Sequence, residues 1–288
     1  MRTLSGSLLL TFRELWAMRL TQGIMVVSTL AWLFLSFAMN LDVVEGSLTA
    51  LRILGMESTP TDMVKDAETG EWVRQTVSVD NFMVGINSFV FGASYFLGTL
   101  LGLFATMPLI RGFLEQGRID LLVSKPVSRS RLLSGHLLGV VLTVLMLAAY
   151  LVGGVWVALS LKTGIWIPKV LISIPIIVIM FTVMYSVIMT VTVMTRSNGL
   201  ALILAYGLIF ISAILAAHEQ ILKVLSPAAK AAFNTLYHIL PNFIEVVVIQ
   251  AQLVTGEAVA TWYPLVSSIL FGVVVYGLGF IWFNRRDF

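Results

Sequence analysis

The stretch that decides the reading is Glu115–Gly139, EQGRIDLLVSKPVSRSRLLSGHLLG. It carries both charge signs, is broken by Pro126, and is wedged between two long apolar runs. A charged piece held at a membrane surface by a span on each side has no use for lipid. It suits a soluble partner that pushes on the membrane part from the cytosol.

Outward from that segment, the composition fixes the solvent. Hydrophobic residues make up 58% of the 288-residue chain and charged residues 11%, far from the balance of a soluble protein. A helix needs about 20 apolar residues to cross the hydrocarbon core of a bilayer. Six runs qualify: 21–41, 83–110, 132–161, 167–195, 199–217 and 264–283. They are too long for tilted barrel strands, so they predict helices. The second, third and fourth exceed the minimum and are expected to tilt or to extend past the bilayer. The fold class expected is an all-α membrane protein, a single transmembrane domain over 1–288. Arg2, Arg13 and Arg19 precede the first run, which lacks a small-residue cleavage site and reads as a retained span. The chain has no cysteine, so it has no disulfide, thiolate nucleophile or cysteine metal site.

The basic residues orient the spans. With six crossings and a cytosolic N-terminus, the inside segments hold eleven basic and four acidic residues, a net +7. The outside segments hold seven and eleven, a net −4. Both termini are therefore expected in the cytosol, with the chain multi-pass in the cytoplasmic membrane. The overall +3 hides this asymmetry and gives no reason to expect nucleic acid as a partner. Residues 4–20 set Leu8, Leu9, Phe12, Leu15 and Trp16 beside Arg13, Glu14 and Arg19, a pattern for a helix lying in the interface.

Residues 42–82 are acidic and carry the turn signals Thr59-Pro60 and Thr69-Gly70. They read as a solvated outer loop, with Trp72-Val73 and Thr76-Val77 as a possible strand or hairpin. They lack the tight carboxylate spacing and sharp Gly turn of a calcium loop. Residues 218–263 mix apolar pieces with Pro227 and Pro241. Each piece is too short for a clean span, so helices lying on or dipping into the outer leaflet are expected. A seventh and eighth crossing would need an inside loop near Pro241, where no Lys or Arg stands.

Small residues recur at Ser94, Gly98 and Gly102, a spacing that lets helix backbones approach closely. Gly92-Ala93-Ser94 resembles a protease serine motif only superficially, since His136, His218 and His238 fall near span ends or in loops. His218-Glu219 begins like a zinc motif, but position 222 is Leu. Lys169 stands at the outer edge of the fourth run; otherwise the six cores carry no Asp, Glu, Lys or Arg. Ion-coupled transporters keep such groups there because a buried charge is costly. Polar positions do exist: Asn87, Tyr95, Thr99 and Thr106 in the second span, and Thr182, Tyr185, Ser186 and Thr190 in the fourth. They suit a pathway lining or hydrogen bonds between helices. No G-x-x-x-x-G-K-[ST] phosphate loop is present, and no cytosolic segment has room for a nucleotide-binding domain. Active transport would need energy from another polypeptide.

Within residues 112–131, Glu115, Gln116, Arg118 and Asp120 share one helical arc and Phe113, Leu114, Gly117 and Leu121 the opposite one. A short amphipathic helix follows. Pro126 ends it, and Ser128 is placed to cap the next helix, whose first turn holds Arg129 and Arg131. From the residues alone, an ordinary basic loop and a docking element are equally good readings.

The same segment resembles the stretch between spans two and three in permease subunits of ABC-2-type ABC transporters, E-x-G-x-[IL]-[DE]-L-L-L-S-x-P-V-S-R-x-x-L-L-x-G-K. Glu115, Gly117, Ile119, Asp120, Leu121, Leu122, Ser124, Pro126, Val127, Ser128, Arg129, Leu132, Leu133 and Gly135 match, and His136 stands where the family has Lys. Phe12-Arg13-Glu14-Leu15 and the ending Phe283–Phe288 resemble the family's interfacial helix and C-terminus. The nearest likeness is to the six-span group that includes the membrane subunit of nitrous oxide reductase maturation. The resemblance implies two paired permease copies, each docked to a separate ATPase that binds ATP and Mg, with no catalytic residue or cofactor in this chain. It implies that 112–131 is a coupling segment seated in the ATPase through Glu115, Arg118, Asp120, Lys125 and Arg129, and that transport is mostly export. The rival is a mechanotransmitting or scaffold protein that docks an ATPase without a substrate path. An intramembrane enzyme is disfavoured by the missing nucleophile and ionisable groups.

Overall fold

Residues 173–195 form the helix around which the others pack. In this computed structural model, residues 2–44, 47–53, 56–58, 61–65, 72–76, 78–114 and 128–285 are described. The helices are α1 (Arg2–Ala17), α2 (Arg19–Leu33) with a π segment (Phe34–Ala38), α3 (Val79–Phe113), α4 (Arg129–Thr163), α5 (Ser173–Thr195) entered by a 3-10 turn (Pro168–Ile172), α6 (Asn198–Leu215), α7 (His218–Val224), α8 (Pro227–Ile239), α9 (Phe243–Thr255) and α10 (Tyr263–Arg285). α5 is apolar on all sides and buries residues round its whole circumference, among them Ile177, Met180, Phe181, Met184, Ile188 and Met189. A helix without a polar face is stable only when covered; α3, α4, α6 and α10 cover it.

Five helices are long and apolar enough to cross a membrane, and up to seven crossings arise if each of two bent pairs counts as one. The multi-pass helical expectation thus stands. The apolar runs foretold the helices closely: 83–110 lies in α3, 132–161 in α4, 199–217 overlaps α6, and 264–283 lies in α10. α3 and α4 have 35 residues each, about 52 Å at ~1.5 Å per residue. The first expected span, 21–41, is α2 plus the π segment. It ends at Ala38, and a 64° bend separates it from α1. The chain turns at Met18, and Leu15 of α1 is buried while Trp16 is exposed.

Residues 42–82, expected as a solvated loop, are instead built largely of short strands. β1 (Met39–Val44), β2 (Ser47–Ile53) and β3 (Met56–Ser58) form an antiparallel sheet in that order. β4 (Thr61–Lys65) pairs with β5 (Trp72–Thr76) in register Thr61↔Thr76 to Lys65↔Trp72. The physical reason is pairing. Isolated polar strands are weak, but antiparallel neighbours satisfy one another's backbone groups, so Trp72 belongs to a hairpin as the minority reading allowed. Ser78 then caps α3 by accepting from the Asn81 backbone N–H at 3.3 Å.

Helix directions follow from side-chain registers. α10 runs parallel to α5: an added Cβ on Gly272 would meet Val183, and one on Gly279 would meet Thr190. Thr190 donates to the Val275 carbonyl at 2.8 Å. α2 runs parallel to α4, with Thr29 paired to Tyr150 at 2.8 Å and Trp32 seated over Gly154. The strands therefore mark one end of the bundle. The 113–129 connection marks the other, together with the start of α2 and the end of α10. α9 rises toward the strand-bearing end. Phe243 packs on Tyr95 near the middle of α3, while Gly256, at φ +82°, lies against Lys169.

Gly279 offers a test of the α5–α10 contact. A Cβ there would stand 2.6 Å from Thr190 Oγ1 and 3.4 Å from its Cα. Gly279→Ala is expected to cost about 1–3 kcal/mol, read as a lowered melting temperature of the detergent-solubilised protein. Gly98→Ala meets open space and should leave that temperature unchanged or raise it. Equal effects of the two changes would contradict the packing.

Candidate functional site

The connection end gathers what the sequence singled out as a coupling region. α3 ends at Phe113 with Arg111 exposed in its last turn, and α4 starts at Arg129 with Arg131 exposed. Glu115, Arg118, Asp120 and Lys125 lie outside the described residues, as does the side chain of Arg129. Ser128 stands at the N-cap of α4 with extended dihedrals, but its side chain makes no capping bond; the expected cap is therefore positional only. Ser130 and Asn284 exchange hydrogen bonds at 3.1 and 2.9 Å. That clasp ties the start of α4 to the end of α10.

About two turns into α4, His136 is buried at 3% exposure. Its Nδ1 lies 3.1 Å from Thr11 Oγ1 of α1 and its Nε2 3.5 Å from the Tyr185 hydroxyl of α5. The imidazole thus joins three helices just above the connection. The sequence marked His136 only as a departure from a lysine and as a histidine near a span end. Its spacing gave no hint of a partner 125 residues away.

The residues expected to line a pathway lie mostly inside this chain. Asn87, Tyr95, Thr99, Tyr185 and Ser186 are buried and Thr182 is half-buried. Tyr95 donates to the Phe243 carbonyl at 2.6 Å. Thr182 and Ser186 donate to Val178 and Val183 in their own helix, at 2.7 and 2.6 Å. The Thr182 carbonyl accepts from Tyr276 at 2.9 Å. Asn87 and Thr99 have buried polar atoms without a protein partner. None of the six is in the lining of three cavities of this chain, one between α3 and α9 and two at the strand-bearing end. The smallest of these, about 20 Å³ between α3 and α9, is lined by Ser88, Gly92 and Gln250. It has room for one water, which would partner the otherwise unpaired Gln250 amide.

The buried stripe of α3 runs Met83, Asn87, Phe91, Tyr95, Thr99, Leu103. Ser94 and Gly98 sit one residue off it, about 100° round the helix. Ser94 accordingly bonds only back to Val90, at 2.6 Å, and Gly98 is exposed to open space. Gly102 alone makes the expected close approach, with an added Cβ 3.1 Å from the Phe181 ring.

Sequence reasoning missed a second polar centre at the strand-bearing end. His218 stacks between Phe233 and Tyr237, with ring centroids at 5.9 and 4.2 Å. Tyr237 also stacks on Tyr263 at 5.9 Å, and Tyr263 meets His238 at 5.2 Å. The Tyr237 hydroxyl donates to Glu245 Oε2 at 2.8 Å. The His218 ring pairs with the Asn234 side chain at 3.1 Å, so the residue that suggested half of a zinc motif serves in this stack. The only sequence signal was the aromatic and histidine density between Phe233 and Tyr263.

A bundle of helices long and apolar enough to cross a bilayer several times fits a multi-pass membrane protein. The chain belongs to the ABC-2 transporter family: the family model described as ABC-2 family transporter protein matches residues 13–288. Proteins of that family work with an ABC ATPase. No curated protein matches the chain significantly.

Two substitutions in α3 separate a used hydroxyl from an unused one. Tyr95→Phe strips the Phe243 carbonyl of its donor and should cost about 1 kcal/mol. Thr99→Val removes a buried hydroxyl with no partner and should be neutral or stabilising. Thermal unfolding in one detergent–lipid mixture reads both; a larger loss for Thr99→Val would reject this assignment.

Proposed function

We propose that this chain is the permease subunit of an ATP-driven exporter, working as a pair of identical copies and driven by a separate ATPase that binds ATP and Mg. The observation that carries this reading is the convergence, at one end of the bundle, of α1, the ends of α3 and α4 and the end of α10, with the matching motif of residues 115–139 between them. Six crossings by α2, α3, α4, α5, α6 and α10 fit the registers above. α8 and α9, bent by 61°, then form a re-entrant unit that starts and finishes at the strand-bearing end. The charge asymmetry puts the connection end and both termini in the cytosol. The helix around Glu115–Ser124 seats in a groove of the ATPase, with Glu115, Arg118, Asp120, Lys125 and Arg129 as its contacts. Within the family, the six-span group that includes the nitrous oxide reductase maturation subunit is the nearest likeness.

A mechanotransmitting role without a substrate path is favoured by one observation, the enclosure of the polar residues of α3 and α5 within the chain. A route for an exported molecule would then have to form between the two copies.

The absence of native cysteine makes topology a clean measurement. Arg118→Cys should react with a membrane-impermeant maleimide only in inverted vesicles, and Glu57→Cys only in intact cells. The reverse pattern overturns the orientation. Docking is tested by Glu115→Lys combined with Asp120→Lys. ATPase copurified with the permease should fall at least about five-fold, since like charges across an interface are strongly disfavoured, while membrane insertion is kept. Unchanged copurification and unchanged ATPase stimulation would remove the segment from the interface.

A further inference from the structure

Two cavities at the strand-bearing end border the Tyr237–Tyr263–His238 cluster, the first at Tyr237 and the second at His238 and Tyr263. The first, about 310 Å³, is lined by Glu219, Gln220, Tyr237, Glu245, Gln252 and Thr261 among others. It presents two carboxylates, and no Lys or Arg is in its lining. The second, also about 310 Å³, is an apolar groove between α8 and α10, formed by Ile239, Val266, Leu270, Phe271 and Val274, with His238 and Tyr263 at its mouth.

We propose that this paired cavity binds a membrane aminophospholipid, its ammonium group beside Glu219 and Glu245 and an acyl chain in the groove along α10. Three observations choose this occupant. Val266, Leu270 and Val274 repeat every four residues and form one exposed face of α10. From Tyr263 to Val274 that face extends about 16 Å at ~1.5 Å per residue, close to the half-thickness of a hydrocarbon core of about 30 Å. Exposed Trp166, Trp262 and Tyr263 ring the same end, as aromatic side chains do at headgroup level. A lipid in that leaflet already holds its charged part at the height of Glu245. Between head and tail, where the phosphate falls, Tyr263 and His238 supply polar groups. The third observation is charge. A lipid-facing groove accepts any acyl chain, but two carboxylates in a lining whose one basic side chain is the His218 imidazole favour a cation and repel an anionic headgroup. The Tyr237 hydrogen bond and ring stack hold Glu245 in place to do so. The site stands apart from the docking segment at the opposite end, so its failure would leave the ATPase reading untouched.

Native mass spectrometry of the full chain tests it, with an equimolar mixture of phosphatidylethanolamine and phosphatidylglycerol carrying the same acyl chains. The ethanolamine adduct should predominate by about five-fold, the scale of a partly exposed charge pair. Glu219→Gln with Glu245→Gln should bring the ratio close to one, and Leu270→Trp, which fills the groove, should reduce both adducts. Exposed Glu219→Gln alone should lower the ratio without loss of fold, which covers a double variant that fails to fold. Equal adducts on the unaltered protein, or a preference that survives the glutamine changes, would overturn the site. So would a lipid-free dimer that Leu270→Trp dissociates, since a second copy would then fill the groove.

Discussion

The whole arrangement depends on lipid's intolerance of unpaired polar groups. No water is at hand in the hydrocarbon core to satisfy a backbone N–H or a side-chain charge. The chain answers with continuous helices and, apart from Lys169 at one edge, cores free of Asp, Glu, Lys and Arg. α5 carries the answer furthest, because it lies inside the bundle and must be apolar in every direction. Its close contacts then need small partners. Gly102, Gly272 and Gly279 supply them against Phe181, Val183 and Thr190, so the neighbouring helices settle round α5 at positions set by glycine.

The same constraint explains which parts were legible in the sequence. Long apolar runs can only be helices in this solvent, so the positions of α3, α4, α6 and α10 could be read within a few residues. The strands of residues 39–76 could not. Their pairing is decided by neighbours in space, and a polar stretch such as Trp72–Thr76 offers no lipid-imposed pattern to read. The Ser94–Gly98–Gly102 stripe was legible only as a spacing, for a related reason. Spacing says that three residues share a face but not which face turns inward. Tyr95 and Phe91 turn α3 so that Gly102 is covered and Gly98 is left open.

The site was legible in unequal parts. The connecting motif was visible because its charges interrupt apolar sequence, and the family match over 13–288 agrees with it. The tie made by His136 was invisible, since Thr11 and Tyr185 come to it from distant turns. The ring stack of His218, Tyr237 and Tyr263 was hidden in the same way. Its members are spread over α7, α8 and α10, and only the fold of the re-entrant unit assembles them.

The uninterrupted length of α4 carries a mechanical implication. A helix of this kind is stiff over its whole extent, and this one has the charged connection at one tip. Along its body it is gripped by His136 and, farther on, by Trp32 in the notch of Gly154. Held at two points, such a rod would carry a push at one tip to the far end beneath the strands with no rearrangement needed in between.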